Sequence, residues 1–277
     1  MKKYGKIRIS DIFRCLFCIL LLIIIVFPFL WLVLSTFKLQ KDIIKWPPTI
    51  LPQKWTLKNY ITVWDRIPLA TYFKNTVIYS LCTATVATLL DSFAGYAFAR
   101  LHFKGRDQIF NVVLLTMMVP FQIIMIPLYL ELHVIGILNT YIGLILPHIA
   151  TAYGIFFMKS FYIGLPMSLE EAARIDGMNE FGIFWKIMFP LTKPAFITYF
   201  IFNITGCWND LLYPLMMTSS AGMRTLSAGL ALFVGEGVRE TGPAFAAALL
   251  SMLPLIIAYC FGQEYFVEGI AVSGMKE

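Results

Sequence analysis

Charged residues are scarce in this chain. Only 14% of its 277 residues are Asp, Glu, Lys or Arg, whereas 59% are hydrophobic and 24 are Phe. In a typical soluble domain, about a quarter of all residues are charged. So few charges exclude an ordinary water-facing surface, and the composition predicts an integral membrane protein.

Catalytic and metal-binding signatures are also missing. There is no GxSxG, HExxH or GxxxxGK[ST] motif, and His102, His133 and His148 lack ligand spacing. Cys15 and Cys18 have CxxC spacing but no second pair or histidine cluster, so they are predicted to be apolar helix residues. We therefore predict no catalytic residue, cofactor or metal, and expect any ATP hydrolysis to occur on another subunit.

Long apolar segments replace these motifs. A transmembrane helix needs about 20 apolar residues. The segments of that length are 16–36, 75–99, 108–130, 139–160, 193–216 and 244–267. The first has no small-residue cleavage site after it and is predicted to stay as an anchor. Prolines are expected to kink or interrupt the spans; they are Pro28, Pro120, Pro127, Pro147 and Pro254. The sequence thus predicts an all-α polytopic membrane protein with six transmembrane helices.

The distribution of Lys and Arg predicts the orientation. The N-terminal tail and the connection at 100–106 are basic, and the positive-inside tendency places both in the cytoplasm. Residues 37–74, on the opposite side, hold seven Lys or Arg, but that loop is long and the tendency applies close to span ends. Both chain termini and the segment 161–192 are then expected on the cytoplasmic side.

Polar residues interrupt two of the predicted spans. Asp91 lies deep in the second, where it is either a buried carboxylate paired with a neighbouring helix or a group lining a pathway. In the fifth, Asn203, Gly206 and Asp210 share one helix face, which fits either a solute path or interhelical hydrogen bonds. The candidate pathway residues are Asp91, Asn203, Gly206, Trp208, Asn209 and Asp210.

One charged segment, "LPMSLEEAARIDGMNEFGIFWKIMFP", stands between the fourth and fifth spans. Ser168 and Glu171 have capping-box spacing, which predicts a helix starting at Ser168. Ala172 and Ala173 provide a thin side for close packing, and Gly177 is placed to end the helix with positive φ.

A second helical stretch should follow Gly177 and present an apolar face. Met178, Phe181, Trp185 and Met188 recur at spacings of three and four. The segment therefore resembles a helix–turn–helix knob that docks on a partner. An amphipathic helix resting on the bilayer is the alternative, but its acidic first turn suits anionic lipid poorly.

The same segment resembles the EAA motif of ABC-importer permeases. Glu171-Ala172-Ala173, Gly177, Ile187 and Pro190 have its spacing, with Phe189 where the motif usually has Leu. Other strings, including "AGYAFARLHFKGRD", "GCWNDLLYPLMMT" and "EGIAVSGMKE", are similar to the maltose-type sugar permeases, and the likeness covers essentially the whole chain.

This resemblance implies a six-span subunit with the fold of a type I ABC-importer transmembrane domain. Implied partners are a second permease, two ATPase subunits, an extracytoplasmic solute-binding protein that delivers a sugar, and the lipid bilayer of a bacterial cytoplasmic membrane, with no nucleic acid. The segment would be the coupling helix that seats in the ATPase. The implied coupling residues are Ser168, Glu170, Glu171, Ala172, Ala173, Arg174, Asp176, Gly177, Ile187 and Pro190.

The expected organisation is a single membrane domain with two tails. A cytoplasmic tail, 1–15, precedes the transmembrane domain, 16–268, whose core is 72–265 and whose coupling loop is 161–192. A second tail, 269–277, follows, and the resemblance to these permeases implies that it reaches between the ATPase subunits. Alternatives are an ABC permease for another solute, such as a polyamine or glycerol phosphate, and an ion-coupled carrier. The sequence holds no second copy of the Asp91 or Asn203 pattern, which weakens the carrier alternative.

Overall fold

The computed structural model describes residues 9–236 and 240–274. Within these two stretches the chain is helical and has no strand, which confirms the all-α fold. The helices are α1 Ile9–Thr36, α2 Gln40–Ile43, α3 Lys58–Arg66, α4 Leu69–Arg100, α5 Arg106–Thr116, α6 Phe121–Ile135, α7 Tyr141–Ile145, α8 Ala152–Ile163, α9 Ser168–Ile175, α10 Glu180–Ile183, α11 Phe189–Leu191, α12 Lys193–Asn209, α13 Leu212–Met217, α14 Leu226–Glu236 and α15 Thr241–Gly274. A 3₁₀ turn, Leu146–His148, follows α7, and a π-helical turn, Phe184–Met188, links α10 to α11.

Among the described residues, two helices are long and apolar enough to cross a membrane unbroken. They are α1, over Ile12–Thr36, and α4, over all of its 32 residues. The predicted segments 16–36 and 75–99 lie inside them. Most apolar side chains of α1 are exposed, as expected of a helix that meets lipid or another membrane helix.

The next two predicted spans are each divided into two helices, which agrees with the expectation that prolines kink or interrupt the spans. Segment 108–130 is divided between α5 and α6, which meet at 96°. Pro120 accounts for this break because it has no N–H and disfavours helical backbone at the residue before it. Segment 139–160 is divided between α7 and α8 with a bend of 45°, where Thr151 caps α8 from an extended backbone.

The fifth predicted span, 193–216, is also not one helix. It is divided between α12, which is bent by 80° from the preceding Glu180–Leu191 segment, and α13. The two helices separate where Asp210 adopts an extended backbone. If each bent pair counts as one span, the described residues provide up to five, and segment 244–267 falls within α15. Pro28, Pro127 and Pro254 are accommodated inside helices.

Pro68–Leu232 and the segment from Pro254 form one of two compact units. In it, α4 packs along α8 and α12. Gly95 allows the close crossing of α4 and α8, because a Cβ there would stand 2.8 Å from the backbone nitrogen of Lys159. One core cluster is Tyr96, Met158, Tyr162, Ala173, Ile183, Phe184, Met188 and Tyr199. A second is Tyr79, Leu132, Leu144, Cys207, Tyr213 and Met217.

The other unit comprises Met1–Ile67 and Phe233–Leu253. Buried Asn59, on α3, organises the turn after α1 by donating to the carbonyls of Thr36 at 2.7 Å and Lys38 at 2.9 Å. The Lys38 ammonium also lies 4.3 Å from the ring centre of Trp31. These contacts tie the end of α1 to α3.

Candidate functional site

The charged segment folds as the predicted helix, turn and second helix. We call Ser168–Pro190 the charged loop. The predicted capping box is wrong: α9 is capped by Met167, whose carbonyl accepts from the N–H groups of Glu170 at 3.0 Å and Glu171 at 3.1 Å. Ser168 already belongs to the helix and makes no cap bond, because the helix begins one residue earlier than its side chain would require.

The two adjacent glutamates of α9 have opposite environments. Glu170 is 2% exposed and lies between Arg100 and Arg174, with a separation of 3.1 Å to a side-chain nitrogen of each. Glu171 is exposed. Successive helix residues point about 100° apart, so only one of the two could face the core. Glu171 alone is available to a partner.

The two alanines are divided in the same way. Ala173 is buried in the cluster around Tyr162 and Phe184, whereas Ala172 is exposed. The exposed side chains of α9 that share a face with Ala172 are Ser168, Glu171 and Ile175, at positions i, i+3, i+4 and i+7. Ile175 is 86% exposed, so this outer face is small, acidic and apolar.

Gly177 ends α9 with the geometry predicted from the sequence. Its φ is +79°, and a Cβ there would meet nothing within 4 Å, so backbone conformation alone favours glycine. The N–H groups of Gly177 and Met178 bond to the carbonyls of Arg174 and Ala173, which is the Schellman arrangement. Asp176 occupies the C-cap position and is exposed.

The second half of the charged loop differs from its predicted apolar face. Of the four side chains predicted to share that face, Met188 is fully buried and Met178 packs partly on the core, while Phe181 and Trp185 remain 65% and 37% exposed. The π-helical turn at 184–188 changes the rotation per residue, so a spacing of three and four no longer defines one face. Ile187 is half-buried, and Pro190 is exposed in α11.

An ion pair on the exposed side reinforces the charged loop. The Arg174 guanidinium donates to both carboxylate oxygens of Glu180, at 2.7 and 3.1 Å. This hydrogen bonding holds the pKa of Glu180 below the usual range of a glutamate. The pair bridges the Gly177 turn and holds α9 against α10.

Asp91 is fully buried where three helices meet. Its carboxylate accepts from the Thr151 N–H at 2.9 Å, the Thr151 hydroxyl at 3.0 Å and the Tyr199 hydroxyl at 2.5 Å. These partners belong to the N-cap of α8 and to α12. The geometry corresponds to the paired structural carboxylate that was one of the two expectations.

The polar residues of α12 line a cavity of about 350 Å³. Asn203, Gly206, Asn209 and Asp210 are among its walls, whereas buried Trp208 instead packs its ring 5.7 Å from Phe73. Asn203 also donates to the Thr88 hydroxyl, at 3.2 Å.

Tyr79 and His148 complete this cavity and were missed at the sequence level. The Tyr79 hydroxyl donates to Asp210 at 3.1 Å, and the His148 ring lies 4.4 Å from that of Tyr213. The available signal was His148 itself, an ionisable residue inside a predicted span.

The fold defines a class of helical membrane protein with broken spans, a polar cavity and a charged loop. A family profile described as "Binding-protein-dependent transport system inner membrane component" matches residues 91–272. The chain belongs to this family of transport permeases, which confirms the resemblance read from the sequence.

Relatives and a solved structure agree with this assignment. The arabinooligosaccharides transport system permease protein AraQ of Halalkalibacterium halodurans is 36% identical over 91% of this chain and 92% of its own length. The diacetylchitobiose uptake system permease protein NgcG of Streptomyces coelicolor is 33% identical over 90% and 83%. A chain of a bacterial ABC transporter involved in alginate import matches with a TM-score of 0.82 at 22% identity, covering 96% of this chain and all of that one. The fold is that of a type I ABC-importer transmembrane domain.

Proposed function

We propose that this chain is one permease subunit of an ATP-driven, binding-protein-dependent importer of oligosaccharides. It would form the pathway with a second permease and be driven by two separate ATPase subunits. Support for a saccharide comes from relatives named for arabinooligosaccharide and diacetylchitobiose uptake, each covered over four fifths or more of its length. A solute-binding protein would deliver the sugar.

The outer face of α9 carries the coupling part of this proposal. Glu171 and Ala172 are exposed beside Ile175, on a helix whose opposite side is buried and which ends at the positive-φ turn of Gly177. An exposed isoleucine with small neighbours suits a protein groove, and Glu171 suits a basic or polar rim around it. Gly177 would fix the angle at which this knob enters the ATPase.

The orientation belongs to the same proposal. The charged loop and both chain termini would lie on the cytoplasmic side of a bacterial cytoplasmic membrane. Residues 1–8 of the expected N-terminal tail and 275–277 of the expected C-terminal tail lie outside the described residues. The boundaries 1–15, 16–268 and 269–277, with the core 72–265 and the loop 161–192, remain our proposed division.

The cavity beside α12 is the proposed contribution of this subunit to the pathway. Its walls combine two amides, a carboxylate, an imidazole and a phenol, which can exchange hydrogen bonds with sugar hydroxyls. Asp91 does not line the cavity, and its carboxylate oxygens are already bonded to Thr151 and Tyr199. Its proposed role is therefore to hold together the helices around the cavity.

Coupling is tested with Glu171→Lys and Gly177→Asp. Each should abolish sugar uptake and co-purification of the ATPase while the permease still inserts in the membrane. Asp107→Lys is the matched control, because Asp107 is also an exposed acid in the first turn of a helix. Normal uptake with bound ATPase in the first two variants would contradict the coupling role.

Substrate class is tested with the importer reconstituted with its own binding protein. Uptake of arabinose and chitin oligosaccharides, a polyamine and glycerol phosphate is compared with and without ATP. We expect ATP-dependent uptake of an oligosaccharide alone. Uptake by the permease without an ATPase would instead establish an ion-coupled carrier.

A further inference from the structure

A closed set of polar contacts joins the charged loop to the end of α4. We call it the ion-pair ring; its members are Tyr96, Arg100, Glu170, Arg174 and Glu180. We propose that Arg100 is a positioning residue that makes α4 move together with α9, so that displacement of the docking helix reaches the pathway through α4. This inference rests on the proposed coupling function.

Arg100 is the last residue of α4 and is 6% exposed. Its guanidinium donates to the carbonyls of Tyr162 and Leu165, at the end of α8 and just beyond it. Its Nε lies 3.1 Å from the carboxylate of Glu170 on α9. One side chain thus joins α4 to both the helix before the charged loop and the docking helix itself.

The ring returns to α4 by a second route. Glu170 also meets Arg174, at 3.1 Å, and Arg174 binds Glu180 through two hydrogen bonds. Glu180 then accepts from the Tyr96 hydroxyl at 3.1 Å. Tyr96 and Arg100 are one turn apart on α4, so α9 is held to the same helix at two points.

The burial of the Arg100–Glu170 pair makes it costly to separate α9 from α4. Both side chains are almost fully excluded from solvent, at 4% and 2% exposure. Moving α9 alone would separate two charges in a place where water cannot replace the partner, which is costly. A lysine could not replace Arg100 fully, because only the planar guanidinium offers several donors in fixed directions.

Helix α4 connects the ring to the polar interior of the same unit. Tyr79, about six turns from Arg100 along α4, lines the cavity. Asp91, nearer the ring, bonds α4 to α8 and α12. A shift of α4 would therefore displace the residues bonded to Asp91 and the wall of the cavity. Glu170, which directly precedes the Glu171-Ala172-Ala173 string, makes this internal link, and Glu171 is left free to contact the ATPase.

The experiment separates a coupling role from a stabilising one. Glu170→Gln leaves the Arg100 charge buried without its partner and should lower the thermal stability of the assembled importer. The double variant Arg100→Met with Glu170→Leu removes both charges and should restore stability. The matched control removes a more exposed ion pair at the start of α5, with Arg106→Gln and Asp107→Asn.

Sugar imported per ATP hydrolysed is the deciding measurement, made on complexes that retain the ATPase. We expect the amount of sugar imported per ATP to be about tenfold lower in the double variant than in the wild type, within the range of allosteric couplings. The control variant should import as much sugar per ATP as the wild type. Wild-type import per ATP in the double variant overturns this inference and leaves the proposed function standing. If the double variant stays unstable, the same ratio on its folded fraction still decides. A wild-type chain that binds no ATPase overturns both.

Discussion

Asp91 provides the sharpest test of how the membrane unit is held together. Replacing it with alanine removes three hydrogen bonds, from the Thr151 N–H, the Thr151 hydroxyl and the Tyr199 hydroxyl. Because Asp91 is fully buried, no water can take over these bonds in the folded protein. The variant should therefore insert but unfold more easily.

The magnitude follows from the number of bonds. A net hydrogen bond is worth about 1 kcal/mol in soluble proteins and roughly 0.6 kcal/mol between membrane helices. Three bonds then give a loss of about 2–3 kcal/mol for Asp91→Ala. Tyr199→Phe removes one of them together with the 2.7 Å contact between the Tyr199 and Thr151 hydroxyls, and it should cost about 1–2 kcal/mol.

Thermal unfolding of the purified importer in detergent provides the assay. Asp91→Ala should lower the midpoint by several degrees and Tyr199→Phe by a smaller amount, since three hydrogen bonds are lost in the first variant and two in the second. The double variant should fall short of the sum, because the Asp91–Tyr199 bond is lost only once. Additive effects, or an Asp91→Ala midpoint equal to wild type, would refute the reasoning.

Two further outcomes follow from the same unit. Gly154→Ala should lower the unfolding midpoint, because a Cβ there would collide with the Tyr199 hydroxyl and the Asp91 carboxylate. Gly206→Ala should leave the midpoint unchanged or raise it, because a Cβ there meets nothing within 4 Å. Equal midpoint shifts in the two variants would contradict this contrast. The lowered pKa of Glu180 means that its bond to Arg174 stabilises the fold above the ordinary glutamate pKa of about 4.3 and is lost as pH falls through the lowered value. The stability difference between wild type and Glu180→Gln should therefore shrink on acidification, and a difference that grows would show that another group is responsible.

Local rules explain which parts of the charged loop were predictable. Gly177 was placed correctly because a helix end with positive φ depends on the residue at that position and its immediate neighbours. The start of α9 at Ser168 was predicted correctly, but the capping box was not, because the Met167 carbonyl, rather than the Ser168 side chain, accepts from the first turn. The apolar face predicted for this stretch is divided, with Phe181 and Trp185 exposed and Met188 buried, because a π-helical turn breaks the assumed periodicity.

Hydropathy located the spans but not their breaks. The segment 108–130 is apolar throughout, and composition cannot distinguish one crossing helix from two that meet at 96°. Pro120 marks the position of the break, yet Pro28 and Pro127 lie inside helices. A proline breaks a helix only where neighbouring elements satisfy the freed backbone groups, which is a tertiary condition.

The sequence by itself determined the membrane class, the helical fold and the family, because these depend on composition, hydrophobic length and motif spacing. Only the tertiary structure decided the fates of Glu170 and Glu171. Their chemistry is identical and they are adjacent, but Arg100 approaches one of them from a helix 70 residues away along the chain. The same holds for Asp91, whose partners lie 60 and 108 residues further on. Contacts between distant segments depend on how helices cross, and no local pattern encodes them.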